Sequence, residues 1–230
     1  MLAQCKVAVL PMYFQPDHKS EMVSQMLYGE TCDVLERTDA HSLIKTHFDQ
    51  TEGWVENFEL QTISELPKQW VLRKNYQILS DENQKQILLS IGSEWSEDAD
   101  HDEVQKSLSE TALGFLNVPF ISGGRSFFGI DASALVQLVF KVHGHPLPRF
   151  AGAQSEGGEA LAFIWEAEAG DLAFFDDENG EISHVGIMLN NEEVLHAFGK
   201  VRIDLCDSTG IFNKNLNKYT HKLRFIKRVL

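Results

Sequence analysis

Two histidines, His184 and His196, and the run Gly129-Ile-Asp-Ala-Ser-Ala-Leu-Val-Gln137 carry the chemistry legible in this chain. The run gives a tight glycine approach, an aspartate and then the apolar spacing of a helix, so position 132 falls in a first helical turn. A helix start offers backbone amides for an oxyanion and a dipole that lowers a thiol pKa. A neutral imidazole nearby would complete a nucleophile and base pair, with a second imidazole fixing the tautomer of the first. Position 132 is the place for that nucleophile, and it holds Ala132. Other residues give weaker signals. His143 and His145 flank Gly144 at a helix end and lack a third ligand, so they read as cap and loop residues and no metal is expected. Asp131 reads as an N-cap. Gly123, Gly124 and Gly129 precede no Gly-Lys-Ser/Thr, which excludes a phosphate loop, and no cofactor is expected.

The elements that must position these residues follow from periodicity. Residues 1–60 alternate in short runs broken by turn residues, as a small all-β barrel does. Residues 61–102 read as strands over 70–79 and 86–91, split by a turn at 80–83. They form a partial second barrel or a linker decoration, and the acidic stretch 94–103 ends in a helix cap at 100–102. Within 103–230, Val104, Leu108, Ala112 and Phe115 share a helix face that Asn117-Val-Pro119 ends. A second helix spans 131–142, and a weaker third lies within 150–161. Beyond residue 170 the period becomes two. Strands are expected at 171–175, 182–189, 194–198, 201–205 and 223–229, with His184 opposite the face of Val185, Ile187 and Leu189 and with His196 on the neighbouring strand. Helices followed by an antiparallel sheet make an α+β domain.

Composition narrows the function classes. In 230 residues, 20 Lys and Arg stand against 34 Asp and Glu, a formal net charge of −14. Nucleic acid and anionic membrane surfaces demand a basic footprint, so neither is an expected partner. Cys5, Cys32 and Cys206 are too few and too scattered for a disulfide framework and read as small apolar packing residues. No run approaches the ~20 apolar residues of a membrane span. Val7 to Leu10 is too short for the core of a signal peptide, so the expected location is the cytoplasm, or the periplasm if a leader has been removed.

The segments VPFISGGRSFFGIDASALVQLVFKVHGHPLPRFAGAQ and GDLAFFDDENGEISHVGIMLNNEEVLHAFGKVRID resemble the NlpC-like cell-wall cysteine peptidases. The first sixty residues resemble the bacterial SH3-type domain that precedes the peptidase in some members. The resemblance implies a papain-like fold, with helices packed on an antiparallel sheet. It also implies cleavage of γ-D-glutamyl to diamino-acid bonds, as by endopeptidases of the dipeptidyl-peptidase VI type. The partners would be peptidoglycan stem peptides or muropeptide fragments. It assigns Ala132 to the nucleophile position, His184 to the base and His196 to the orienting residue, with Asp131 and Ser133 flanking. The chain also departs from the family at its substrate end. Phe120 and Ser122 stand where a tyrosine and a tryptophan are usual, and Phe150 replaces an aspartate that holds the free amine of the stem peptide. Two readings follow: an endopeptidase scaffold that is inactive as written, or a natural pseudoenzyme that binds muropeptides or proteins.

Overall fold

The computed structural model describes residues 1–80, 86–95 and 106–230. Most of the turn expected at 80–83, most of the acidic stretch 94–103, the cap at 100–102 and Val104 lie outside them. The N-terminal unit contains seven short strands: β1 (Leu2–Cys5), β2 (Val9–Tyr13), β3 (Met22–Leu27), β4 (Thr31–Arg37), β5 (His41–Thr46), β6 (Glu52–Glu56) and β7 (Leu60–Thr62). They form one antiparallel sheet in the order β3-β2-β6-β5-β4-β1-β7. Strict alternation drives this. In β5 the side chains of Ser42, Ile44 and Thr46 turn inward while their neighbours do not. Cys5, Leu10, Met12, Met26, Cys32, Ile44 and Val55 fill the core. Both of its cysteines are buried and free, as is Cys206. Burial pushes the Cys32 and Cys206 thiols up to about 12, so they serve as apolar filling.

The continuous strand expected over 70–79 is broken. β8 (Trp70–Val71) pairs with β11 (Glu94–Trp95), and β9 (Tyr76–Ser80) pairs with β10 (Gln86–Ser90). The break follows Leu72, whose N–H extends the β8–β11 pairing by bonding Ser93 O at 2.8 Å and whose O accepts from Gly92 N at 2.9 Å. Among the described residues this segment forms two separate two-stranded ribbons.

Three α-helices follow among the described residues. α1 (Leu108–Leu113) starts at Ser107, whose side chain and Glu110 make a capping box. After β12 (Arg125–Ser126) and β13 (Gly129–Ile130), α2 (Ala132–Val142) begins where Asp131 accepts from Ala134 N at 2.8 Å. α3 (Ala151–Gln154) is one turn long, not the helix expected across 150–161. The helix closes at its C-cap Ser155, and beyond it Gly158, with φ +73°, lies so close to Arg228 O that a Cβ would be 2.5 Å away. The chain then pairs as β14 (Glu159–Ala160) with the last strand.

The C-terminal sheet contains β15 (Leu172–Asp176), β16 (Ile182–Met188), β17 (Glu193–Phe198), β18 (Lys200–Cys206), β19 (Gly210–Asn213) and β20 (Lys218–Arg228). The order is β14-β20-β15-β16-β17-β18-β19, and β19 also pairs with β20, so six strands close on themselves. Alternation gives the ring two apolar faces. Ala173, Phe175, Met188, Val194, Cys206, Ile211 and Ile226 fill one. Leu172, Phe174, Val185, Ile187 and Leu195 form the other and pack on Leu135, Val136, Leu138 and Val139 of α2. The expectation of helices packed on a sheet therefore holds for α2, while strands dominate the rest. No helix among the described residues is long and apolar enough to cross a membrane.

A buried ion cluster ties α2 to the N-terminal unit. Glu30, next to β4, accepts from Arg125 Nη1 and Nη2 at 2.8 Å each and from Lys141 Nζ at 2.6 Å. It also takes the backbone N–H of Leu27 at 2.8 Å. Burial alone would raise the Glu30 carboxyl, but Arg125 and Lys141 outweigh it and hold the group below the usual carboxylate range. Lys141 also meets Glu94 at 2.9 Å, so the ribbon segment joins the same cluster.

Candidate active site

The start of α2 is held from three directions. Asp131 caps the helix and faces Arg149, whose Nη1 donates to Asp131 Oδ1 and to Ser133 Oγ, each at 3.0 Å. Arg149 is 2% exposed, and its Nε reaches Ser24 Oγ in β3 at 3.0 Å. Gln154 Nε2 donates to Ser133 O and Pro148 O. Gly123, with φ +73°, lets the loop before β12 approach Met22 O so closely that a Cβ would lie 2.0 Å from it. The N-terminal unit thus forms one wall of the region around α2.

Ala132 occupies the first position of α2 and is 6% exposed, in the same apolar cluster as Val185 and Ala197. Those two residues adjoin His184 and His196 in sequence. Ser133, which carries the hydroxyl of this turn, donates to Asp131 Oδ1 and accepts from Arg149. Its hydroxyl is thereby committed to two structural partners.

The two expected histidines meet. His184 Nε2 lies 2.9 Å from His196 Nδ1, with the rings at 88°. His196 Nε2 is 3.2 Å from Asp204 Oδ2, and Arg202 Nη2 holds the other carboxylate oxygen at 2.8 Å. The carboxylate accepts, so His196 carries its proton on Nε2 and takes the Nε2–H of His184 at Nδ1. This leaves the lone pair of His184 on Nδ1, the tautomer a general base needs. Burial, with lesser contributions from His221 and His196, pushes the His184 pKa well below its ordinary value. Burial also lowers His196 despite the opposing pull of Asp204. For Asp204, burial acts upward, but the hydrogen bonds from His196 and Arg202 keep it below the usual range. At neutral pH the site holds neutral imidazoles and one carboxylate.

Two members of this cluster were not read from the sequence as site residues. Asp204 was legible only as part of the alternation in β18. His221 lies on β20, whose start was expected at 223 and is Lys218. The His221 ring stacks on His184, with centroids 4.0 Å apart and 22° between planes. Phe198 meets it edge-on at 5.2 Å. His143, by contrast, is the C-cap residue of α2 and lies 2.9 Å from Thr111 Oγ1.

The expected substrate-end residues lie on the surface. Phe120 and Phe150 are half-exposed, and Ser122 is exposed. Phe120 N bonds Gly199 O at 3.1 Å, one residue beyond the β17 strand of His196. Phe150 is the N-cap residue of α3 and lies against the Arg149 guanidinium at 5.5 Å.

Residues 117–221 match the NlpC/P60 family, and residues 12–60 match the bacterial dipeptidyl-peptidase Sh3 domain. The chain carries an NlpC/P60 domain behind a bacterial SH3 domain. Relatives of this cell-wall peptidase family include the gamma-D-glutamyl-L-lysine dipeptidyl-peptidase of Bacillus subtilis strain 168. It is 36% identical over 94 residues, which cover 40% of this chain and 31% of the relative. The peptidoglycan endopeptidase RipB of Mycobacterium tuberculosis is 35% identical over 79 residues, covering 34% of this chain and 32% of that protein. The alignments thus span about a third of these curated relatives. Among solved structures, an NlpC/P60 family protein from Bacillus cereus ATCC 10987 superposes over all of both chains. The TM-score is 0.83 at 19% identity, a likeness of fold. An NlpC/P60 endopeptidase from Photobacterium damselae gives a TM-score of 0.72 at 13% identity, over 97% of this chain and 70% of that one.

Proposed function

We propose that this NlpC/P60 chain binds peptidoglycan stem peptides containing a γ-D-glutamyl to diamino-acid bond and does not cleave them. The observation that carries the reading is the methyl group of Ala132 at the start of α2, in a site that retains a hydrogen-bonded His184–His196–Asp204 series. A methyl group cannot attack a carbonyl, and loss of a nucleophile costs on the order of a millionfold in turnover. Ser133 is no substitute, because its hydroxyl is committed to Asp131 and Arg149. The His184 base and the helix start would still border a peptide in the groove, with His196 buried behind them.

Phe150 alters the end of that groove. The aspartate expected there by resemblance would hold a free amine through a charge-assisted hydrogen bond. A half-exposed aromatic ring over Arg149 offers apolar contact instead. The reading therefore favours stem peptides whose amine end is blocked or joined to an apolar group. Calorimetry tests it, with L-Ala-γ-D-Glu-L-Lys and its N-acetyl form titrated separately. Binding with a micromolar Kd, tighter for the acetylated peptide, is expected. Silence for both peptides would contradict the proposal.

A further inference from the structure

The cluster at His184 is larger than a base and its orienter require. His184 on β16, His196 on β17 and His221 on β20 each present a ring nitrogen, and all three nitrogens lie within 4.8 Å of one another. We propose that these three histidines form a binding site for a divalent transition metal ion of the zinc class. The proposal goes beyond the stem-peptide reading and does not depend on it, because the ion binds whether or not a peptide does.

The ligand chemistry fits such an ion. Neutral imidazole is a common ligand for zinc, copper and nickel, and only the deprotonated ring nitrogen binds. Three rings in a largely buried setting are the form a metal would select. The surroundings also supply an outer partner. Metal-bound histidines commonly donate their second N–H to a carboxylate, which fixes the ring and raises its basicity. His196 Nε2 already faces Asp204, and Asp204 is itself held by Arg202. That leaves His196 Nδ1 turned toward His184. His221 is steadied in a similar way, with Nδ1 2.9 Å from Thr220 Oγ1.

The distances leave a modest adjustment. A zinc to nitrogen bond is about 2.0–2.1 Å, which puts two ligands of a tetrahedral ion roughly 3.3 Å apart. His184 Nε2 and His196 Nδ1 are 2.9 Å apart and need to open by only a few tenths of an ångström. His184 would move its proton from Nε2 to Nδ1, a change of tautomer with no net proton gained or lost. The His221 ring must slide off its stack on His184 to close the third contact, and it is the most exposed of the three. In a peptidase, a metal on His184 would remove the base. With Ala132 at the nucleophile position there is no thiol for that base to serve.

The test is a zinc chloride titration of the chelator-stripped full chain at pH 7, read by competition with a metal indicator. A parallel cobalt(II) titration reads the visible bands of a low-symmetry site. One equivalent should bind, and His221→Ala should weaken binding by 10-fold or more while leaving the circular dichroism and the melting curve at pH 7 intact. Asp204→Asn should weaken it 10- to 100-fold. Each protein is also titrated with stem peptide, so a lost metal site is distinguishable from a lost peptide groove. Binding unchanged in a His184→Ala/His221→Ala double variant would overturn the proposal. So would binding abolished by His143→Ala/His145→Ala, which would move the ion to the surface pair.

Discussion

Replacing Glu30 with alanine perturbs the link between the SH3 unit and the helix that carries Ala132. Glu30 is 3% exposed. It receives both Arg125 nitrogens at 2.8 Å, Lys141 at 2.6 Å and the Leu27 amide at 2.8 Å. Removing one partner from a buried ion cluster typically costs about 3–5 kcal/mol, because the remaining charge is stranded. Lys141 keeps Glu94 at 2.9 Å, so Arg125 bears most of the loss, with the Gln137 side chain and Gln25 O as its remaining hydrogen-bond partners. We expect Glu30→Ala to lower unfolding stability by about 3–4 kcal/mol, toward the lower end of that range. The double variant Glu30→Met/Arg125→Met removes both charges and should recover most of it, ending within about 1–2 kcal/mol of the parent. Urea denaturation followed by tryptophan fluorescence reads both quantities, with Glu30→Met and Arg125→Met as the single variants of the double-mutant cycle. The linkage also fixes a pH window. The folded Glu30 pKa lies below its ordinary value, so its contribution is complete above the unfolded pKa and is lost as pH falls through the folded one. The Glu30→Ala deficit should therefore shrink below about pH 4. A single variant costing less than ~1 kcal/mol, or a double variant showing the full sum of the two single losses, would refute the clamp.

Four further outcomes are expected. Ala132→Cys should react with iodoacetamide at least 10-fold faster than Cys5 or Cys32, whose thiols burial raises, and a rate no faster than theirs would mean that the site has lost its activating geometry. Phe150→Asp should favour the free-amine stem peptide over its acetylated form by roughly 10-fold in calorimetry, the size of one charge-assisted hydrogen bond. Asp131→Ala removes a cap and strands the buried Arg149, so it should cost about 3–5 kcal/mol in urea unfolding. The folded His184 and His221 pKa values lie below the unfolded one, so their neutral forms favour the fold above about pH 6.5. That contribution is lost as pH falls below about 6.5, the His221 share down to about pH 4, by at most ~1.4 kcal/mol per pH unit per histidine. His221→Gln should flatten the slope in pH-dependent melting.

Local rules carried part of this structure into the sequence. The start of α2 was legible because Asp131 is a cap followed by an apolar helical period, and Asp131 does cap it. The strands of His184 and His196 were legible because their period is two, and the two rings lie 2.9 Å apart. What escaped was set by tertiary contact. The polar run Tyr219-Thr-His-Lys222 gives no apolar alternation, yet β19 pairs with it and brings His221 onto His184. The segment 150–161 reads as a weak helix, but α3 closes at Ser155 and the chain passes through Gly158 to pair Glu159 and Ala160 with β20. Glu30, Arg125 and Lys141 are far apart in sequence, and no spacing rule could join them. The same holds for Arg149 bridging Ser24 and Asp131.

The proposed NlpC/P60 groove holds a stem peptide without cutting it. Mass spectrometry of L-Ala-γ-D-Glu-L-Lys after prolonged incubation with the unmodified chain tests this most directly, with binding measured on the same sample. Intact peptide with micromolar binding is the predicted result. Release of free lysine at a rate that His184→Ala abolishes would contradict it, because the His184 base would then be serving another nucleophile.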